Sequence, residues 1–189
     1  MLAIMVAEAW PLGLIFASSR PGLLGRLFTT PAADWPAWIA AAFVTAAYVA
    51  YAIRGLPLIG QMFFSPYKLK LLAIPLAAIT GIMEEVWFRR IPMDWLAGLG
   101  WPSPAQLAFS AILFGLVHGV WGLFAGSLRV AAASIGATAA LGLALALVYL
   151  IGDRHVAPCI FSHAAINLAI EPWLLVAAME ESKRKNVIS

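Results

Sequence analysis

Residues 81–90 read GIMEEVWFRR, two adjacent glutamates and two adjacent arginines at the end of an apolar run that begins near Leu69. A charged side chain in the middle of a bilayer costs roughly 3 kcal/mol or more. Four of them together either mark the end of a membrane span or serve a purpose within it.

The rest of the chain makes a membrane span the right frame. Of its 189 residues 63% are hydrophobic and only 11% charged, and the mean hydropathy is +0.91. A soluble domain of this length needs a polar surface that long blocks of this sequence do not offer. The net charge of +3 and a pI near 9.3 come largely from loop and tail residues, which suits anionic lipid headgroups. No basic pattern tracks nucleic acid, so the expected partners are the lipid bilayer and a peptide or membrane-anchored protein. Oligomeric state is not legible. Cys159 is the only cysteine, which excludes an intrachain disulfide and reads as a buried structural thiol.

A span needs about 20 apolar residues. On that measure the fold class is all-α, a polytopic bundle of about six transmembrane helices. The expected spans are 1–18 (interrupted by Glu8 and Pro11), 36–53, 69–89, 104–125, 128–151 and 156–179. Trp35 and Trp38 introduce the second at an interface. The first lacks the basic start of a secretory signal and is expected to be retained. Segments rich in Pro, Gly and charge, including RIPMDWLAGLGWPSP and GDRH, read as connections. The expectation is one integral membrane domain over 1–189. It divides into two N-terminal helices with their connections over 1–68, core helices over 69–179 and a basic cytoplasmic tail over 180–189.

Orientation follows from basic residues near helix ends. Arg54, Lys68, Lys70, Arg129, Lys183, Arg184 and Lys185 fall on one face by alternation, against Arg20, Arg26, Arg90 and Arg154 on the other. The positive-inside rule then puts both termini in the cytoplasm, in a prokaryotic inner or plasma membrane. The glutamate end of the third span is expected on the extracytoplasmic side. Arg129 is expected to snorkel to the surface, and His155 to be solvated in its turn. Glu8 reads as an interfacial or packing charge.

Within the motif, Glu85 and Arg89 are four apart and pair on one helical face. Glu84 is rotated by about 100° and has no partner in its own helix. A salt-bridged helix end would explain the pair alone, but two further polar groups lie in apolar runs. They are FGLVH at 114–118, with Phe114 and His118 on one face, and HAAIN at 163–167, with His163 and Asn167 on another. Gly115, Gly119, Gly122 and Gly126 form a small-residue seam expected to pack a neighbouring helix. Glu171 continues the Asn167 face before Pro172 and reads as a partner for a basic side chain.

These three elements in order, EEVWFR, FGLVH and HAAIN, resemble the CPBP intramembrane proteases, also called the CAAX protease and bacteriocin-processing or Abi family. Its signature is EExxxR, FxxxH and HxxxN on successive core helices. The resemblance covers about residues 70–175 and departs where Arg90 replaces a glycine that often follows the motif arginine. It implies a CPBP-like catalytic core and an intramembrane glutamic-type endopeptidase, a hydrolase needing no cofactor. In that reading Glu84, with His118, activates water, while His163 and Asn167 stabilise the oxyanion. Glu85, Arg89 and Phe114 support them. The chemistry is sound on its own terms: a positioned carboxylate is a general base, and fixed donors stabilise a developing negative charge.

Zinc held by Glu84, His118 and His163 is the alternative within the enzyme class, giving a zinc-dependent CAAX-type protease. There is no HExxH pair, and Asn167 suits an oxyanion better than a metal. A noncatalytic immunity or scaffold protein binding a peptide or lipid in the same polar cavity is the second class. A small transporter is the third, weakened by the absence of an inverted repeat. With an extracytoplasmic site, the expected substrates are exported or membrane-anchored proteins, cut near the membrane surface at a C-terminal anchor or sorting segment, or a secreted peptide.

Overall fold

The computed structural model describes residues 34–63, 69–120, 122 and 126–188. The expected first span with Glu8, the Arg20 and Arg26 loop, Lys68, and the side chains of Lys70, Glu171 and the C-terminal lysines lie outside the described residues. Among those described there is no strand. The elements are α1 (Trp35–Gly55), α2 (Pro57–Met62), α3 (Leu69–Glu85), a π-helical turn (Val86–Arg90), α4 (Ile91–Gly98), α5 (Ser103–His118), α6 (Leu128–Ile151) and α7 (Ala157–Ile188). The fold is an all-helical polytopic membrane bundle.

Composition and length explain the elements. α1 carries proline in its first turn, where the missing N–H costs nothing; its 21 residues rise about 31 Å, the thickness of a hydrocarbon core. α6 starts where Ser127 Oγ accepts the Val130 N–H at 3.4 Å, an N-cap. α1 and α6 are each long and apolar enough to cross a membrane, with mean hydropathies of 1.6 and 2.1. Leu128, Phe43, Ile39 and Leu147 point outward, a lipid-facing surface for which water is no suitable solvent. Phe114, Leu145, Met93, Tyr149, Cys159 and Trp173 fill the interior. Cys159 is indeed buried, its thiol donating to Leu145 O at 3.3 Å.

The helices alternate direction, and contacts between their ends fix the two faces. A Cβ on Gly152, just after α6, would lie 3.1 Å from Ala37 Cβ near the start of α1. Arg154 follows in a turn where Asp153 and Arg154 take φ of +48° and +64°. Its guanidinium donates to Asp94 Oδ1 on α4 at 2.8 Å and to Gln106 Oε1 on α5 at 2.7 Å. Tyr149 OH donates to the same Asp94 oxygen at 2.9 Å, and Gln106 Nε2 to Trp101 O at 2.7 Å. The end of α6, the starts of α1, α5 and α7, and α4 therefore share one face. Arg129, exposed at the start of α6, marks the other.

Two expectations are corrected. The third span does not stop at the motif, because the helix runs through the π turn into α4, inside a segment read as a connection. In the fourth span, α5 ends at His118 and the chain turns at Gly119, with Val120 and Gly122 again helical and residues 121 and 123–125 outside the described residues. The last helix continues to Ile188, so the basic tail is helical over 180–188. His155 is half-buried rather than solvated.

Candidate active site

Close approach of α3 and α7 begins the site. A Cβ on Gly81 would meet Ala164 Cβ and N at 3.1 Å and Ile160 O at 3.2 Å, so a residue without a side chain is what lets the two backbones run this near. One turn later the glutamates of α3 meet His163 of α7. On the other flank, a Cβ on Gly115 would stand 2.7 Å from Ala139 Cβ. Gly119 and Gly122 face Ile135 and Ala131 in the same way, whereas Gly126 makes no such contact and turns the chain at φ +61°. The seam is thus three glycines, not four, and packs α5 against α6. His118 is held at its end by Ser134 Oγ, which donates to His118 O at 3.0 Å.

The π turn re-aims the motif's arginine. Ile91 N–H reaches back to Val86 O, a bond one residue longer than in an α-helix. Ser110 Oγ on α5 donates to Phe88 O at 2.6 Å, giving a carbonyl within the turn a partner. Arg89 and Glu85 are both fully buried, with Nη1 3.0 Å from Oε1, the pair that their spacing predicts. The guanidinium finds no acceptor in hydrogen-bonding geometry among the described residues. It lies instead over the Phe114 ring, 4.2 Å from its centre, a cation–π contact in a dry setting.

Phe114 is the hub of the site. Its ring centre is 5.1 Å from that of Phe88, 4.4 Å from His118 and 5.6 Å from His163, so one buried ring sets the position of both histidines and the arginine.

The histidines converge on Glu84. His118 Nε2 lies 3.7 Å and His163 Nε2 3.6 Å from Glu84 Oε2. Both are beyond hydrogen-bond reach, and that oxygen has no hydrogen-bond partner among the described residues. The side chains of Glu84 and His118 are each 20% exposed and that of His163 only 3%, so the open flank of the cluster is the His118 side, with Oε2 itself buried.

The other ring nitrogens fix the tautomers. His118 Nδ1 is 2.8 Å from Phe114 O; a carbonyl only accepts, so Nδ1 carries the proton. His163 Nδ1 is 2.6 Å from Glu85 Oε1; with Glu85 a carboxylate against Arg89, that Nδ1 also donates. Neutral imidazoles would then turn two Nε2 lone pairs toward one carboxylate oxygen.

Asn167, one turn beyond His163, donates from Nδ2 to Thr80 Oγ1 at 3.0 Å. Thr80 was missed from sequence, although it stands one turn before Glu84. A threonine in an apolar helix has no distinctive signature, and only its partner on α7 sets it apart. Among the described residues no group of three His, Cys, Asp or Glu has the arrangement that holds a metal ion.

The site lies deep. Thr45 Oγ1 and Ser162 Oγ, next to His163, are 2.8 Å apart, and Thr45 is the central residue of α1, about 15 Å from each end at 1.5 Å per residue. The glutamates therefore lie near mid-span, not at a helix end.

The family described as Type II CAAX prenyl endopeptidase Rce1-like matches residues 66–169, which holds every residue of this cluster. The chain belongs to that family. It is a CAAX-type protease, a hydrolase of the membrane, and the resemblance read from the three motifs is correct. No curated protein and no solved structure matches the chain significantly.

Proposed function

We propose that this CAAX-type endopeptidase works by a glutamic mechanism on the lipid-anchored C-terminal segment of a protein substrate, without a metal. The observation that carries the reading is Glu84 Oε2, a buried oxygen without a hydrogen-bond partner among the described residues that two histidine Nε2 atoms face at 3.7 and 3.6 Å. Glu84 takes a proton from water as the oxygen attacks the scissile carbonyl, and the C–N bond breaks as the amine leaves with a proton returned through Glu84 or His118. Catalytic contacts are often long before substrate binds and tighten afterwards, so the 3.6 and 3.7 Å gaps suit a resting site.

His163 donates from Nε2 to the oxyanion only as an imidazolium, because its Nδ1 proton is engaged by Glu85. In the proposed step the second proton sits on Nε2, which faces Glu84 Oε2 at 3.6 Å. Asn167 donates its second amide proton. Glu85, Arg89 and Phe114 hold the geometry without touching substrate.

A site about 15 Å below either surface is reached most easily by a chain end already held in hydrocarbon. That favours a prenylated CAAX-type peptide, the class in the family's description, over the surface-exposed loops of an exported protein. The C-terminal anchor of an exported protein meets the same requirement and is the second reading.

The test uses purified protein in nanodiscs and a quenched peptide ending in a farnesylated CAAX sequence, beside an unprenylated transmembrane-anchor peptide. Wild type is expected to cleave the first. Glu84→Gln should lose roughly 10²–10⁴-fold, the usual span for a general base, with unchanged thermal unfolding. Full activity in Glu84→Gln would sink the mechanism. Activity lost in chelator and restored by zinc would establish the metal reading instead.

A further inference from the structure

We infer that Thr80 is a positioning residue for Asn167, holding its carboxamide so that one Nδ2 proton is committed to α3 and the other faces the reacting carbonyl. The inference rests on the proposed role of Asn167 as an oxyanion donor.

Four observations carry it. Thr80 is 2% exposed, so its hydroxyl has no water to satisfy it. Its own proton goes to Ala77 O at 3.3 Å, which leaves a lone pair for the Asn167 amide at 3.0 Å. A hydroxyl already donating to a backbone carbonyl can only accept from Asn167, so the amide is fixed the right way round. Flipping it would set Oδ1 against that lone pair. Finally, Thr80 precedes Gly81, where a Cβ would meet Ala164 at 3.1 Å, so the pair sits beside a close approach of the two backbones.

The consequence is a division of the amide's two donors. An oxyanion donor stabilises the transition state only when its direction is set before charge develops. An Asn167 free to rotate would spend part of its time presenting an oxygen to the oxyanion. Thr80 removes that option without touching substrate. It also sits on the helix that carries Glu84, which ties base and oxyanion donor into one rigid unit. A threonine serves here where serine also would, and valine, of the same shape, would not, because it keeps the packing and loses the acceptor.

Thr80→Val, Thr80→Ser and Asn167→Ala, with the Thr80→Val/Asn167→Ala double variant, test this in nanodiscs with the farnesylated peptide. Thr80→Val should lower kcat roughly 10- to 100-fold, less than the loss expected for deleting a donor outright, with KM within about twofold. Thr80→Ser should stay near wild type, and Thr80→Val should add nothing in the Asn167→Ala background. Wild-type kcat in Thr80→Val, or the same loss with Asn167 already removed, would overturn the inference.

A second readout separates it from the proposed function. Asparagine occurs only at positions 167 and 186, so ¹⁵N-asparagine labelling gives two side-chain amides, assigned with Asn186→Asp. The Asn167 pair should be well dispersed in wild type and collapse toward free-amide shifts in Thr80→Val alone. If wild type cleaves neither peptide while this collapse occurs, the proteolytic reading fails and the positioning stands; an unchanged Asn167 signal removes the positioning in either case.

Discussion

At the scale of single residues, the buried cluster joins a catalytic requirement to a stability problem. Glu85 and Arg89 are both at 0% exposure, and removing one member of such a pair typically costs about 3–5 kcal/mol, because the survivor is left as an uncompensated charge. Arg89→Met should therefore lower the unfolding temperature in detergent far more than the Arg89→Met/Glu85→Gln double variant does. Equal losses in both would mean that the pair does not act as one unit. Arg89→Lys should also fail to rescue, since an ammonium cannot lie flat over the Phe114 ring as the guanidinium does at 4.2 Å. Phe114→Ala tests the hub itself: a large-to-small change at a buried phenylalanine costs about 3–5 kcal/mol, and here it also releases both imidazoles, so activity should fall even at temperatures where the variant stays folded.

At the scale of elements, what could be read in the sequence was whatever repeats with a helical period or exceeds a bilayer's thickness. The bounds of α6 fall on the expected 128–151, because a continuous apolar stretch between Ser127 and Gly152 leaves the helix nowhere else to start or stop. The pairing of Glu85 with Arg89 was legible because i,i+4 neighbours are set within one helix. The π turn was not, since one extra residue in a turn leaves no compositional trace, and α4 was mistaken for a connection on account of its proline and aspartate. Thr80 was missed for the related reason that spacing within α3 says nothing about α7. Packing between helices turns on positions such as Gly81, and this can be tested. Gly81→Val should push α3 from α7, separate Glu84 from His163 and abolish activity with a lowered unfolding temperature. Gly98→Ala, where a Cβ meets nothing within 4 Å, should leave both unchanged. An active Gly81→Val would show that the close approach is not what assembles the site.

At the scale of the whole molecule, the two ends of the bundle are chemically unlike. One is tied together by Arg154, Asp94, Tyr149 and Gln106 and carries Trp101, 48% exposed, a residue suited to the bilayer interface. At the other, α5 ends at His118, α6 opens with the exposed Leu128 and Arg129, and the side chains of Glu84 and His118 are each partly exposed. Glu84 and His118 are the partly exposed side chains of the cluster, and His118 ends α5, which predicts that water reaches the carboxylate from this second end. The positive-inside rule predicts a cytoplasmic position for the same end, and the two arguments together predict a site fed from the cytoplasmic side. Cys159 is fully buried, so Cys159→Ala gives a clean background for single cysteines. With a membrane-impermeant maleimide, Trp101→Cys should label in intact cells and Leu128→Cys only in inverted vesicles. The opposite pattern would turn the bundle over and send water to Glu84 from outside. It would make the anchor of an exported protein the better substrate, and the anchor peptide the better probe of Glu84→Gln.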